Sequence, residues 1–74
     1  MKIHVKLYGE FLKYGPEESY KELPEGSTVN DLLKQLSIEE RNYIIMLINL
    51  KRSWFEDKLK DGDTISIFSP VGGG

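Results

Sequence analysis

The chain contains no cysteine and has a single histidine in 74 residues. Without cysteine it cannot form a disulfide, a zinc–thiolate site or a thiol nucleophile. Its ten lysine and arginine residues are scattered and the formal net charge is −2, so it lacks the clustered basic face that nucleic acid requires. We find no apolar run long enough to span a bilayer and no charged-then-apolar leader. These absences predict one cytoplasmic domain, without nucleic-acid or membrane partners, that is held together by packing alone.

No group of side chains in the sequence predicts catalysis or metal binding. His4 lies on the polar side of an alternating segment, which is typical of an exposed structural histidine. The segment DKLKDGD at 57–63 is only faintly similar to a calcium loop. It lacks the full set of acids at the first, third and fifth loop positions and a glutamate at the twelfth. We interpret it as a solvated turn, and we expect no bound metal or cofactor.

Hydrophobic periodicity predicts an α+β domain with the element order β, β, α, β, short β, β. The segment KIHVKLY alternates apolar and polar residues, as a strand with one buried face does. A second strand is expected at SYKEL and a last strand at TISIFS. The continuous apolar run IIMLIN is typical of a central strand covered on both faces, and a short strand is expected near Trp54.

The segment STVNDLLKQL predicts the main helix. Thr28 can act as its N-cap, and Asp31 stands three residues later, as in a capping box. The apolar residues recur at helical spacing, so one stripe must be buried against a mixed sheet. The predicted core comprises Ile3, Val5, Leu7, Val29, Leu32, Leu33, Leu36, Leu47, Ile65 and Ile67.

The C-terminal segment SIFSPVGGG carries most of the functional information. Two glycines in the last two places coincide by chance in only about 0.5% of chains. Glycine has no side chain and adopts almost any backbone angle, so such a tail can thread a narrow channel and present its carboxylate to another protein. Pro70 restricts one φ angle and helps to aim the tail. The alternative is a frayed terminus without a role.

Aromatic side chains near this tail predict a docking patch. Tyr8 lies on the polar side of the first strand, and Phe68 shares a face with Thr64 and Ser66. If the first and last strands are neighbours, both rings stand on the outer face of the sheet, with Trp54 as a further candidate. A group of exposed aromatics beside a reactive tail is more suggestive of docking than single exposed residues are.

The whole chain resembles the MoaD and ThiS family of ubiquitin-like sulfur carriers, which have a β-grasp fold. The Pro70–Val71 pair before the glycines is more similar to MoaD, the small subunit of molybdopterin synthase, than to ThiS. The resemblance implies a β-grasp domain at residues 1–69 and a flexible, reactive, Gly-rich tail at 70–74. The segments that carry it are GSTVNDLLKQL, the IN that closes the third strand, LKDGDTISIFSPV, and the terminal GG.

The resemblance further implies a carrier that is a substrate of its partners rather than an enzyme. A MoeB- or ThiF-like adenylating enzyme would use ATP and Mg²⁺ to convert the carboxylate of Gly74 to an acyl-adenylate. Sulfur would then displace AMP and leave a thiocarboxylate, which a MoaE-like large subunit of molybdopterin synthase would receive. Gly73 and Gly74 match the reactive diglycine, Gly72 and Pro70 would position it, and docking would use Phe68, Tyr8 and Trp54.

The sequence departs from the MoaD pattern at several positions, and these leave the receiving partner open. Ser69 replaces the first of two prolines, Gly72 replaces a small residue, and Arg52 stands where an apolar contact residue is common. Trp54, two residues later, is a candidate substitute. The alternatives are a carrier for another product, such as the thiamine thiazole or a tungsten pterin, and a ubiquitin-like modifier of lysine side chains.

Overall fold

A computed structural model describes residues 1–70 of the chain. The expectations for Gly72, Gly73 and Gly74, and for a flexible tail beyond Pro70, lie outside the described residues. The described part forms one sheet of five strands in the order β2-β1-β5-β3-β4. Its elements are β1 (Lys2–Leu7), a 3₁₀ helix (Gly9–Tyr14), β2 (Glu18–Glu22), α1 (Val29–Gln35), β3 (Ile45–Ile48), β4 (Lys51–Ser53) and β5 (Thr64–Phe68).

The sheet is mixed because its first and last strands run parallel. β1 pairs with β5 in parallel, with Val5 opposite Ile65 and Leu7 opposite Ile67. β2 joins β1 antiparallel, and β3 pairs antiparallel with both β5 and β4. The predicted order of elements and the predicted β-grasp fold, a mixed sheet packed on one main helix, are confirmed.

The helix begins at the predicted capping box. The side chain of Thr28 accepts a hydrogen bond from the backbone N–H of Asp31, whose carboxylate in turn accepts one from the backbone N–H of Thr28 at 2.9 Å. The hydrogen bonds from Thr28 lower the pKa of Asp31 below its usual value, helped by the charge of Lys34. The cap is therefore strongest above that usual pKa, and it weakens as the pH falls through the lowered one.

One cluster of apolar side chains fills the space between the helix and the inner face of the sheet. Of the ten predicted core residues, nine are buried in it and Leu47 is not. The cluster also takes residues from the segments between the regular elements, where no periodicity marks them. The buried residues are Ile3, Val5, Leu7, Phe11, Leu23, Val29, Leu32, Leu33, Leu36, Ile38, Ile44, Met46, Leu59, Ile65 and Ile67.

The prediction that Leu47 lies in the core is wrong. The residues of β3 alternate between faces, and it is Met46 that is buried, at 2% exposure. Leu47 lies opposite Ser66 on the other face of the sheet, where it is half-buried. The run IIMLIN is therefore covered by the core on one face only, because β3 obeys the two-residue period of any strand even where every residue is apolar.

The described residues contain no helix that is long and apolar enough to cross a membrane. Within residues 1–70 there is also no group of three or more histidine, aspartate or glutamate side chains that could hold a metal ion. In the 57–63 segment, the carboxylates of Asp57 and Asp63 accept backbone hydrogen bonds from Trp54 and Lys60 at 2.8 Å each. They serve as turn-forming groups there.

Replacing Leu33 with alanine should lower the free energy of unfolding by about 2–5 kcal/mol, because Leu33 is fully buried and its loss leaves a cavity. The measurement is equilibrium denaturation in urea. The control is Gln35→Ala at an exposed position of the same helix, which should stay within about 0.5 kcal/mol of the unaltered chain. Equal effects of the two substitutions would contradict the packing described here.

Candidate functional site: an apolar groove on the outer sheet face

The outer face of the sheet carries a shallow groove of about 370 Å³. We call it the apolar groove, because four of the five side chains that line it are aliphatic or aromatic. It lies on the face opposite the helix, where β1, β5 and β3 run side by side. Its lining residues are Tyr8, Leu47, Leu50, Ser66 and Phe68.

Tyr8 reaches the groove because the chain stays extended for one residue beyond β1. Its backbone has φ −129° and ψ 153°, and its N–H donates to the carbonyl of Ile67 at 3.0 Å. The ring therefore continues the outward side of the β1 alternation. The 3₁₀ helix begins at the next residue, and the N–H of Phe11 donates to the Tyr8 carbonyl at 3.0 Å, which anchors the bend.

Phe68 is the last residue of β5, and it stands beside Tyr8. The two rings meet edge to face, with centroids 6.4 Å apart and planes at 87°. Aromatic pairs prefer this geometry. Tyr8 is 42% exposed and Phe68 is half-buried. The exposed Pro70 follows two residues later, so the chain leaves the sheet from the same end as this aromatic pair.

Trp54, the third residue that the sequence suggested for docking, does not line the apolar groove. It follows β4, on the far side of β3 from Phe68, and its ring is 56% exposed. The guanidinium of Arg52 lies 4.7 Å from the centre of that ring, within the range of a cation–π contact. Leu47, which lies on β3 opposite Arg52 of β4, supplies the apolar surface on the β3 side of the groove.

Two groove residues were missed by the sequence reasoning. Leu47 was placed in the core, and Leu50 was not singled out at all. Leu50 is the second residue of the two-residue turn between β3 and β4 and is 83% exposed. An asparagine that interrupts an apolar run is the one sequence signal of this turn, but it does not show which face Leu50 joins.

The single histidine stabilises the sheet. Its Nε2 lies 2.6 Å from a carboxylate oxygen of Glu18, and its Nδ1 lies 3.3 Å from the hydroxyl of Thr64. Its ring stacks on Tyr20 with centroids 4.7 Å apart. His4 is structural, as predicted, but the prediction that it is exposed is wrong. Its side chain is only 18% exposed, because its neighbours on β2 and β5 cover it. It links three adjacent strands, β2, β1 and β5.

The five-stranded mixed sheet packed on one helix, with aromatic side chains on its open face, defines a ubiquitin-like β-grasp protein. The ThiS family matches residues 5–74, so the match extends through the terminal glycines. The chain belongs to the ThiS family, a family of small sulfur carrier proteins. The resemblance inferred from the sequence is thereby confirmed at the level of the family. No curated protein sequence matches the chain.

Solved structures agree with this fold over the full domain. SAMP1 from Haloferax volcanii has a TM-score of 0.84 at 20% identity and covers 100% of both chains. A candidate molybdopterin converting factor subunit 1 from Pyrococcus furiosus has a TM-score of 0.82 at 29% identity, covering 96% of this chain and 99% of its own. A chain of the complex of subunits 1 and 2 of the molybdopterin-converting factor from Helicobacter pylori has a TM-score of 0.69 at 24% identity and covers 100% of both.

Replacing Phe68 with alanine should weaken binding to an adenylating enzyme by more than about 1 kcal/mol, the loss typical of a central interface residue. The fold should survive, because Phe68 lies outside the core cluster. Calorimetric titration measures the affinity. The control is Tyr20→Ala, an exposed aromatic on the same face two strands away, which should bind normally. An unchanged affinity for Phe68→Ala would show that the groove is not a docking site.

Proposed function

We propose that this protein carries sulfur as a thiocarboxylate on Gly74. The proposal rests above all on the ThiS family match, which spans residues 5–74 and so includes the glycine tail. The fold supports it in one further respect. β5 lies at the centre of the sheet, and the chain leaves β5 next to the Tyr8–Phe68 pair, so a partner that binds the apolar groove has the tail within reach.

The chemistry requires activation because a carboxylate is a poor acyl donor. In the first step, a carboxylate oxygen of Gly74 attacks the α-phosphate of ATP on the adenylating enzyme, and pyrophosphate leaves. In the second step, hydrosulfide attacks the acyl carbon, the C–O bond to AMP breaks with AMP as the leaving group, and loss of the S–H proton leaves a thiocarboxylate. The adenylating enzyme supplies ATP and Mg²⁺, and this chain supplies the docking face and the carboxylate.

We infer that the sulfur serves the synthesis of molybdopterin. The Pro70–Val71 pair before the glycines favours this destination, as does the similarity to the candidate converting-factor subunit of Pyrococcus furiosus at 29% identity. The partner that receives the sulfur would be a large subunit, as subunit 2 accompanies subunit 1 in the Helicobacter pylori complex.

A thiazole synthase is the alternative acceptor, and the family's name favours it. Transfer of sulfur to one purified acceptor and not the other decides between them.

Deleting Gly74 should abolish adenylation or slow it by on the order of 100-fold. The deletion shortens the reach of the tail by about 3.3–3.6 Å, and a misplacement of even about 1 Å can cost roughly 100-fold in rate. Adding one alanine after Gly74 should be as harmful, since it overshoots and brings a Cβ into a space built for none. ATP–pyrophosphate exchange with the adenylating enzyme measures the rate.

Neither tail variant should change stability by more than about 0.5 kcal/mol, because neither alters a residue of the core cluster. Thermal unfolding provides this control and separates a chemical defect from a folding defect. A Gly74 deletion that is adenylated at the normal rate would contradict the proposal and would favour a terminus without a role.

A further inference from the structure

Leu50 combines high exposure with an unfavourable backbone conformation. Its side chain is 83% exposed and its φ is +72°. Asn49 before it has a φ of +51°, so both central residues of the β3–β4 turn occupy the region that a type I′ hairpin turn requires. Asparagine tolerates this region, but a bulky leucine rarely adopts it. The second place of such a turn is normally a glycine.

A network of hydrogen bonds holds the turn in this conformation. The backbone N–H of Asn49 donates to the Thr64 carbonyl at 2.8 Å, and the side-chain oxygen of Asn49 accepts from the Thr64 N–H at 3.0 Å. The Asn49 amide also donates to Asp63 at 2.9 Å, and Asp63 accepts the backbone N–H of Lys60. The network includes Asn49 but not the Leu50 side chain, so folding gains little from leucine at this position. A strained backbone conformation that is not offset by packing of the side chain is evidence for a functional role.

The β3–β4 turn separates two different surfaces. On one side lies the apolar groove, which Leu50 itself lines. On the other side lies a second groove of about 340 Å³, which we call the basic groove. Its two carboxylates, those of Asp57 and Asp63, already accept backbone hydrogen bonds. Its cationic side chains form no salt bridge with any residue of the range 1–70, and they are Lys51, Arg52, Lys58 and Lys60.

We propose that Leu50 is an anchor residue that inserts into an apolar pocket of the adenylating enzyme, and that the pocket's rim facing β4 carries carboxylates. The exposed leucine favours an apolar pocket, and the lysines beside it, which form no salt bridge within residues 1–70, favour negative charge on the partner. This inference rests on the proposed function. It names the adenylating enzyme because adenylation precedes every later use of the tail, whichever acceptor receives the sulfur.

The topology predicts that Leu50 acts on binding and not on the chemical step. β3 and β5 are antiparallel, with Ile48 opposite Ile65 and Ile45 opposite Phe68. The β3–β4 turn therefore lies at the end of β5 where that strand begins, whereas the tail leaves from the other end. Truncating Leu50 should raise KM and leave kcat unchanged, because the reacting carboxylate is positioned by other residues.

Replacing Leu50 with glycine separates this role from a structural one. We expect the affinity for the adenylating enzyme encoded in the same genome, measured by calorimetric titration, to fall by about tenfold or more, as for a hot-spot residue. We expect the melting temperature to rise, because glycine adopts positive φ without strain. If Leu50 were only structural, its replacement would lower the melting temperature and leave the affinity unchanged. A matched pair of alanine substitutions provides the control. Leu50→Ala should weaken binding, whereas Leu12→Ala should not, because Leu12 is also exposed, at 46%, but lies outside both grooves.

The charge of the rim is tested with Lys51→Glu and Lys58→Glu in low salt. Each should weaken binding several-fold, and the affinity of the unaltered chain should fall as salt is added. Affinities unchanged by Leu50→Gly and by both charge reversals would overturn this inference alone, provided that the unaltered chain supports ATP–pyrophosphate exchange. No exchange by the unaltered chain would overturn the proposed function, and this inference with it.

Discussion

The parallel pairing of β1 with β5 is the contact on which the rest of the structure depends, because it brings the first strand of the chain against the last at the middle of the sheet. Its register places Val5 beside Ile65 and Leu7 beside Ile67, so all four side chains meet the helix in one core. A shift of β5 by one residue would send Ile65 and Ile67 to the solvent face. The same register brings Tyr8 next to Phe68 on the outer face. The core and the candidate docking surface thus lie on opposite faces of the same pair of strands.

The sequence could predict the elements whose side chains follow a clear period. The alternation of β1 and the Leu32–Leu33–Leu36 stripe each identify one buried face, and the Thr28–Asp31 capping box marks where the helix begins. Leu47 was misplaced because a run in which every residue is apolar carries no period to read. Phe11 and Ile38 were missed as core residues because they lie in connecting segments, where burial is decided by tertiary packing.

The candidate site was only partly predictable, for a physical reason. That Tyr8 and Phe68 share a face follows from strand alternation once β1 and β5 are neighbours. The role of Leu50 depends on a turn conformation that Asn49, Asp63 and Thr64 impose through hydrogen bonds across the sheet. Such a constraint is non-local, so no window of sequence around Leu50 contains it. Trp54 was grouped with the other aromatics by its residue type and by its place two residues after Arg52, and the strand order places it elsewhere.

The proposed function divides the work between the folded domain, which partners would recognise, and the terminal carboxylate, on which the chemistry would take place. Its most direct test is the intact mass of the chain after incubation with ATP, Mg²⁺, the adenylating enzyme and a sulfide source, with fragmentation to locate the change. We expect a mass gain equal to the exchange of one oxygen for sulfur, located on the carboxyl group of Gly74. An unchanged mass, or sulfur found at any other residue, would contradict the account.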